Sequence, residues 1–379
     1  DLSDAKMNYA REATDLAADF LAELVDIAPT LKDVAKTIAE AKFGGAMLNG
    51  QDKTVDVTTT SPVSQFDNYS RYLMLAVKGL FAEELMMKSI AKGEKPTIVV
   101  DSTADTLTDW VRSQSTSIDG QVDGHPNIGH VLKRNASRLL DARIETAMGD
   151  SETVRLTEFE GWLSDYCARV DEFDWSRMRI NVLDLVAEVC EENGLTFKDI
   201  TKRSLSVVER EGRFFVERRE PVSKADAIKE YGSGITDVLG LNKGAATGLS
   251  AHASRAIGPD VRRRAMIPLQ FQKDITDQRQ VEGRINRFAQ VSAPIYYTPS
   301  TGFAADERLA NLFNRANRNL TSSTSASREN ATNIDGIDLL NPVGDMAVAS
   351  FAKNNPEIAD RMDLDPKGQD LGRKLLGRI

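Results

Sequence analysis

The densest chemistry in the 379-residue sequence lies in QRQVEGRINRFAQ, residues 278–290, where Gln280, Gly283, Arg284 and Arg287 form a Q-x-x-G-R-x-x-R pattern. On a helix, positions three and four apart share a face, so the amide and both guanidiniums would stand together. Arginine is permanently charged and presents forked donors that match a phosphate. Two such groups beside an amide suit a γ-phosphate in transfer, the part played by arginine fingers. A solvated helix face that carries spaced arginines is the competing reading.

A second string precedes the first at a useful distance. A predicted strand, ITDVLGLN, leads into the small-residue loop AATGLSAHAS, and a second strand, AMIPLQF, follows. Backbone N–H groups in such a loop can approach a phosphate closely, which makes Gly248, like Gly283, a nucleotide-binding candidate. Thr247 and Ser250 suit a nucleic-acid backbone. His252 either relays between the two sites or is a hydrogen-bonded structural histidine. Upstream, PTIVVDST ends a β-branched strand at Ser102 and Thr103, at the carboxyl edge where parallel sheets bind ligands. The basic run Arg262, Arg263 and Arg264 offers either further phosphate contacts or a solvated turn.

The elements that must position these residues alternate between helix and strand. Residues 1–43 read as helices, with Leu16, Phe20, Leu24 and Ile27 on one side. A Gly-, Asp- and Thr-rich stretch from 44 to 60 follows. A long helix is predicted next, with Ser64 as N-cap and Gly93 as its stop. After the PTIVV strand, residues 104–150 look irregular and are read as an insertion. Helices resume at FEGWLSDYCARV and at RMRINVLDLVAEVCEENG, the latter stopping at Gly194. LTFKDITKRSLSVVEREGRFFVERRE reads as a strand, a loop and a hairpin, and the helix DITDQRQVEGRINRFA closes the alternation. Residues 321–333 are low in apolar content and read as an exposed loop before a helical tail. The fold class expected is α/β, a doubly wound, mostly parallel RecA-like sheet with accessory helical segments. The division expected is an accessory segment at 1–60, the main lobe at 61–320 and a helical extension at 321–379.

Composition narrows the partners. With 48 basic and 57 acidic residues the net charge is -9, so any nucleic-acid contact must be local rather than a pull of the whole surface on a polyanion. Cys167 and Cys190 are too few for a disulfide framework or a zinc site. His125 and His130 lack ligands at metal-binding spacing, so no metal is expected. The absence of a membrane-length apolar run and of a secretory signal leads to an expectation of a cytoplasmic protein with no membrane partner.

Taken together, these strings resemble the C-terminal helicase region of the strawberry notch family of superfamily 2, in its bacterial or phage version. The resemblance rests on QFDNYSRYLMLAVKG and PTIVVDSTAD, on GLTFKDITKR at 194–203, on GLSAHA, on QVEGRINRFAQVSAP and on the tail LGRKLLGRI, in that order over most of residues 60–379. It implies that Arg284 and Arg287 act as fingers toward ATP held by another lobe, with Gln280 near the γ-phosphate. Ser102, Thr103, Thr247, Ser250 and His252 would lie near nucleic acid, most simply DNA. The resemblance also allows a role in protecting phage DNA from restriction.

The sequence departs from a complete motor in one respect: it contains no G-x-x-x-x-G-K-[ST] loop to hold ATP phosphates. ATP and Mg²⁺ are therefore expected only when a first RecA-like lobe, in the same longer polypeptide or in a separate chain, completes the site. The chain alone is expected not to hydrolyse ATP. The start at Asp1 without methionine favours a piece of a longer polypeptide. The alternative is a non-catalytic RecA-like interaction module assembled with other proteins.

Overall fold

The computed structural model describes residues 2–43, 56–59, 62–115, 117, 119–145, 151–246, 248–272, 274–325, 341–362 and 364–378. In chain order the elements begin with α1 (Leu2–Phe43), β1 (Asp56–Thr59), α2 (Pro62–Gly79), α3 (Ala82–Ala91), β2 (Lys95–Val99), α4 (Asp105–Gln114) and β3 (Gln121–Val122). Then come α5 (Ile128–Leu139), β4 (Asp141–Glu145), β5 (Ser151–Arg155), α6 (Glu160–Asp171), α7 (Val182–Glu192), β6 (Phe197–Asp199), β7 (Leu205–Arg210) and β8 (Arg213–Arg218). The remainder are α8 (Lys224–Ser233), β9 (Val238–Leu241), α9 (Lys243–Ala246), β10 (Arg264–Pro268), α10 (Ile275–Glu282), β11 (Ile295–Tyr296), α11 (Ala304–Ser325), α12 (Pro342–Asn354), α13 (Pro356–Arg361) and α14 (Leu371–Arg378). Among the described residues no helix is long and apolar enough to cross a membrane.

The chain forms two compact units that do not follow chain order. One comprises residues 1–83, 102–194 and 202–222; the other comprises 84–101, 195–201 and 223–379. The second unit holds a five-stranded sheet in the order β11-β10-β2-β9-β6. Every pairing in it is parallel. The expected α/β class is thus present, with β2 at the centre. Strands β2, β9 and β10 are buried along their whole length, as required of a parallel sheet covered on both faces. Val99, Leu239, Leu241 and Met266 from the strands pack with Tyr231 of α8, Val281 of α10, and Leu249, Ala251 and Ile285 from the loops.

The lower ends of β2 and β10 carry a buried charged cluster. Lys95 Nζ donates to the Tyr231 carbonyl and, at 2.5 Å, to Asp260 Oδ2, and it lies 4.5 Å from the Tyr231 ring centroid. Arg264 is 1% exposed, stacks on the other side of this network with Cζ 4.8 Å from the Tyr231 ring, and donates to the carbonyls of Ala251 and Asp260. Burial by itself would raise the Asp260 carboxyl, but hydrogen bonds from Arg262 and Lys95 outweigh it and hold the group well below its ordinary range. Of the basic run at 262–264, Arg264 is therefore a core residue. Arg262 is tied to Asp260 at 2.7 Å, and Arg263 Nε donates to the Ala293 carbonyl.

The first unit is mostly helical. The stripe of α1 that is buried is rich in alanine, comprising Ala10, Ala13, Ala17, Phe20, Leu24, Leu31 and Ala35, with Leu16 and Ile27 half-buried at its margins. The unit also contains two antiparallel sheets, β1-β4-β5 and β3-β8-β7. The hairpin expected in residues 205–218 is formed, turning at Glu211 and Gly212, both at positive φ.

Several local expectations are corrected. Helix α2 begins at Pro62, which places Ser64 inside it, and the long helix breaks after Gly79, where the Lys6 ammonium takes up the Leu80 carbonyl at 2.9 Å. The described residues between 104 and 145 are not irregular, since α4, β3, α5 and β4 lie there. Asn127 caps α5 by accepting the His130 N–H, and the reciprocal partner is His130 in place of the usual Glu or Gln, so the start signal is concealed. Helix α11 continues through Ser325, into the stretch expected to be a loop; residues 326–333 lie outside the described residues.

Candidate phosphate site of the parallel-sheet unit

The two strings singled out in the sequence run side by side. The Ala251 N–H donates to the Arg284 carbonyl at 2.8 Å, and the Val291 N–H donates to the Ala253 carbonyl at 2.7 Å. Leu249, Ala251 and Ala253 are buried, and they alternate with half-buried Ser250 and His252, the period of an extended strand. Ile285, fully buried, fixes the other segment to the same core.

Both guanidiniums converge on one atom. Arg284 Nη1 and Arg287 Nη2 each donate to the Leu249 carbonyl at 3.2 Å, and Arg287 Nε donates to the Gly283 carbonyl at 3.1 Å. Among the described residues neither has a carboxylate within ion-pair distance. Arg284 Nε is buried without any partner. Burial, then the neighbouring Arg287, pushes the Arg284 guanidinium below its ordinary pKa. Two adjacent positive charges in contact with neutral oxygens leave an unneutralised cationic spot.

The helix that should present them ends early. Helix α10 stops at Glu282, with Gly283 as its C-cap, so Arg284 and Arg287 stand on the turn after the helix and do not share a helical face with Gln280. Gln280 is exposed on α10 itself, whereas Gln278, passed over in the sequence, is the buried amide: its Oε1 accepts the Gln272 N–H at 3.1 Å and its Nε2 donates to Glu282 at 3.0 Å. The helix stops where the polypeptide turns to offer the Arg284 carbonyl to the Ala251 N–H, and a Cβ added at position 283 would lie 3.2 Å from the Arg279 carbonyl.

His252 lies on the half-buried edge of this arrangement with Nδ1 buried and unpartnered. Burial, then Arg287 and Arg264, lower its pKa, which keeps the ring neutral near pH 7. Gly248 is exposed at φ +75°, where a side chain is strained. Thr247 lies outside the described residues. Ser102 and Thr103 belong to the helical unit. There Ser102 Oγ accepts the Ala104 N–H at 3.3 Å and donates to Tyr72 Oη at 3.4 Å.

The sequence reading also passed over Phe288. It is 98% exposed, beside Ala289 at φ +63°, on a turn held by the Arg287 N–H donating to Gln290 Oε1 at 3.1 Å. Its one signal in the sequence is an aromatic residue directly after the second arginine.

A five-stranded, all-parallel sheet flanked by helices is the architecture of a RecA-like lobe. Residues 185–374 match the family described as the C-terminal domain on Strawberry notch homologue, and the chain belongs to that family. The match covers half of the chain and includes β6, β9, β10 and β11, while the central strand β2 comes from outside it. Comparison with curated proteins and with solved structures gives no match. A C-terminal helicase domain implies a partner N-terminal helicase lobe.

Proposed function

We propose that the parallel-sheet unit is the second lobe of an ATP-dependent superfamily 2 helicase or translocase acting on DNA, with Arg284 and Arg287 as its arginine fingers. The observation that carries this reading is the pair of guanidiniums with no carboxylate partner, one of them with a buried donor unused. In the same unit Arg262 and Arg264 pair with Asp260, and Arg279 pairs with Glu282 at 2.5 Å. Where Arg264 and Arg279 have carboxylates and the adjacent Arg284 and Arg287 have none among the described residues, the pair suits an anion with several oxygens.

The donor set fits a triphosphate. ATP supplies the transferable γ-phosphoryl group, and Mg²⁺, brought with the first lobe, offsets charge on the phosphates. Arg284 and Arg287 would meet the γ-phosphate, the Leu249 carbonyl holds them in place until then, and Gln280 stands one turn before them. Gly248 and Gly283 keep the backbone open beside the phosphates. Neutral His252 and Ser250, on the same edge, couple this site to a nucleic-acid backbone, as would Thr247; Ser102 and Thr103 are separate candidates for backbone contact in the helical unit. Antirestriction during phage infection is the biological setting that fits such a motor.

The test is a phosphate-release assay on the chain alone and on the chain supplied with a first lobe of the same family. Turnover only with both lobes, lost in R284A and R287A, supports the reading. Turnover indifferent to both arginines would leave a non-catalytic interaction module.

A further inference from the structure

The helical unit contains a cleft that the helicase reading does not use. It has a volume of about 350 Å³ and lies between α4, β3, α5 and α6, among residues 110–167, entirely outside the family match. The volume is that of a small-ligand pocket. One wall is apolar, made by Trp110 with Val111, Val122 and Leu163. Its polar lining comprises Gln114, Ser115 and Ser137 together with His130, Lys133 and an exposed Asp123.

The charge states of these groups restrict the ligand. Lys133 is neutralised by Asp171 at 2.7 Å. His130 has Nδ1 occupied by Asn127 Oδ1 at 2.9 Å, and burial, then Lys133, draw its pKa down to about 4, so the ring is neutral and only Nε2 remains for a ligand. Asp123 has no hydrogen-bond or ion-pair partner among the described residues. The titratable groups left to a ligand are therefore one exposed carboxylate and a neutral imidazole beside an indole wall, with Gln114, Ser115 and Ser137 as uncharged polar neighbours, a combination that disfavours a phosphate and favours a flat, uncharged ring with N–H donors along one edge.

We propose that this cleft binds a single unpaired guanine base, stacked on Trp110 with its N1–H and N2–H donated to the Asp123 carboxylate. Guanine is the base whose pairing edge sets two adjacent donors in parallel, the match for one carboxylate. Adenine presents the N1 lone pair at that position and is repelled. The inference does not depend on the helicase reading, and no residue of the arginine pair enters it.

The experiment is calorimetric titration of the full chain with GMP, IMP and AMP. GMP is expected to bind, IMP, which lacks the N2 amine, about tenfold or more weaker, and AMP not measurably. Asp123→Asn should weaken GMP by about tenfold or more, and Trp110→Ala should abolish binding, with both variants keeping the wild-type circular dichroism and melting curve. No heat with GMP at millimolar concentration, equal binding of AMP and GMP, or a D123N variant that binds GMP like the wild type would each overturn the proposal. R284A should bind GMP normally, so failure here and failure of the helicase reading are distinguishable.

Discussion

Two arginine sites, one in each unit, are built in opposite ways. In the helical unit Arg203, the last residue of GLTFKDITKR, is 8% exposed and its guanidinium is bonded to Asp184, whose other oxygen accepts from the Asn181 amide at 2.7 Å and from the Val207 N–H at 2.9 Å. Removing it from water is compensated by a complete set of partners. In the parallel-sheet unit Arg284 and Arg287 stand beside each other with, among the described residues, carbonyl oxygens as the only partners of their guanidiniums and one buried N–H unused. A buried arginine bonded to a buried carboxylate holds the fold together. Arginines that keep their charge against carbonyl oxygens, Arg284 half-buried and Arg287 exposed, remain available to an anion.

The largest expected effect tests this contrast on the functional side. With a first lobe present, Arg284→Ala or Arg287→Ala should lower ATP turnover by about 10³-fold or more, read as steady-state phosphate release. Thermal unfolding of the same variants should shift by no more than about 0.5 kcal/mol, the range for changes away from the core. A large loss of stability would place these arginines with Arg203 and erase the distinction.

The reverse is expected of the helical unit. Asp184→Ala leaves the Arg203 guanidinium buried without its counter-ion and should cost about 3–5 kcal/mol in urea unfolding. A loss below about 1 kcal/mol would mean that the pair is not the structural element its burial indicates.

A smaller effect concerns the turns that flank the Arg284 and Arg287 segment. Gly248→Ala forces an L-residue into left-handed backbone and should cost about 1–2 kcal/mol in stability, while Ala289→Gly relieves the same strain and should stabilise by at most about 1 kcal/mol. Equal and opposite signs would confirm that the strain is local to each turn.

The smallest prediction concerns pH. Burial lowers the Lys95 pKa to about 8. Its unfolded value is about 10.4, so between these the unfolded state binds more protons than the folded state, and the unfolding free energy should rise as pH increases from about 8 to about 10. Lys95→Met should flatten that rise. A flat wild-type profile, or a rise that survives the substitution, would show that Lys95 is not the group responsible.

Much of the fold could be read from residue patterns. The alternation of β-branched runs with amphipathic segments predicted the parallel sheet, and PTIVV, ITDVLGLN and AMIPLQF fall on β2, β9 and β10. What escaped were features decided by partners distant in the chain. The helix carrying the arginines was drawn too long because QRQVEGRINRFA has helical character throughout, and nothing local announces that Ala251 will take the Arg284 carbonyl. The concealed start of α5 came from an unusual His in a capping box. Phe288 attracted no attention because exposure is not a property of a sequence.

By itself the sequence determined the α/β class, the family, and the identity and order of the two candidate strings, because these depend on residue type and short-range spacing. The tertiary structure alone decided which arginines are free. Arg203, Arg264, Arg284 and Arg287 are chemically identical, and what separates them is whether the fold brings Asp184 or Asp260 within reach, or only the Leu249 carbonyl. Charge neutralisation acts through space over a few ångströms, between residues that here lie 4 to 38 positions apart, and spacing along the chain does not encode it.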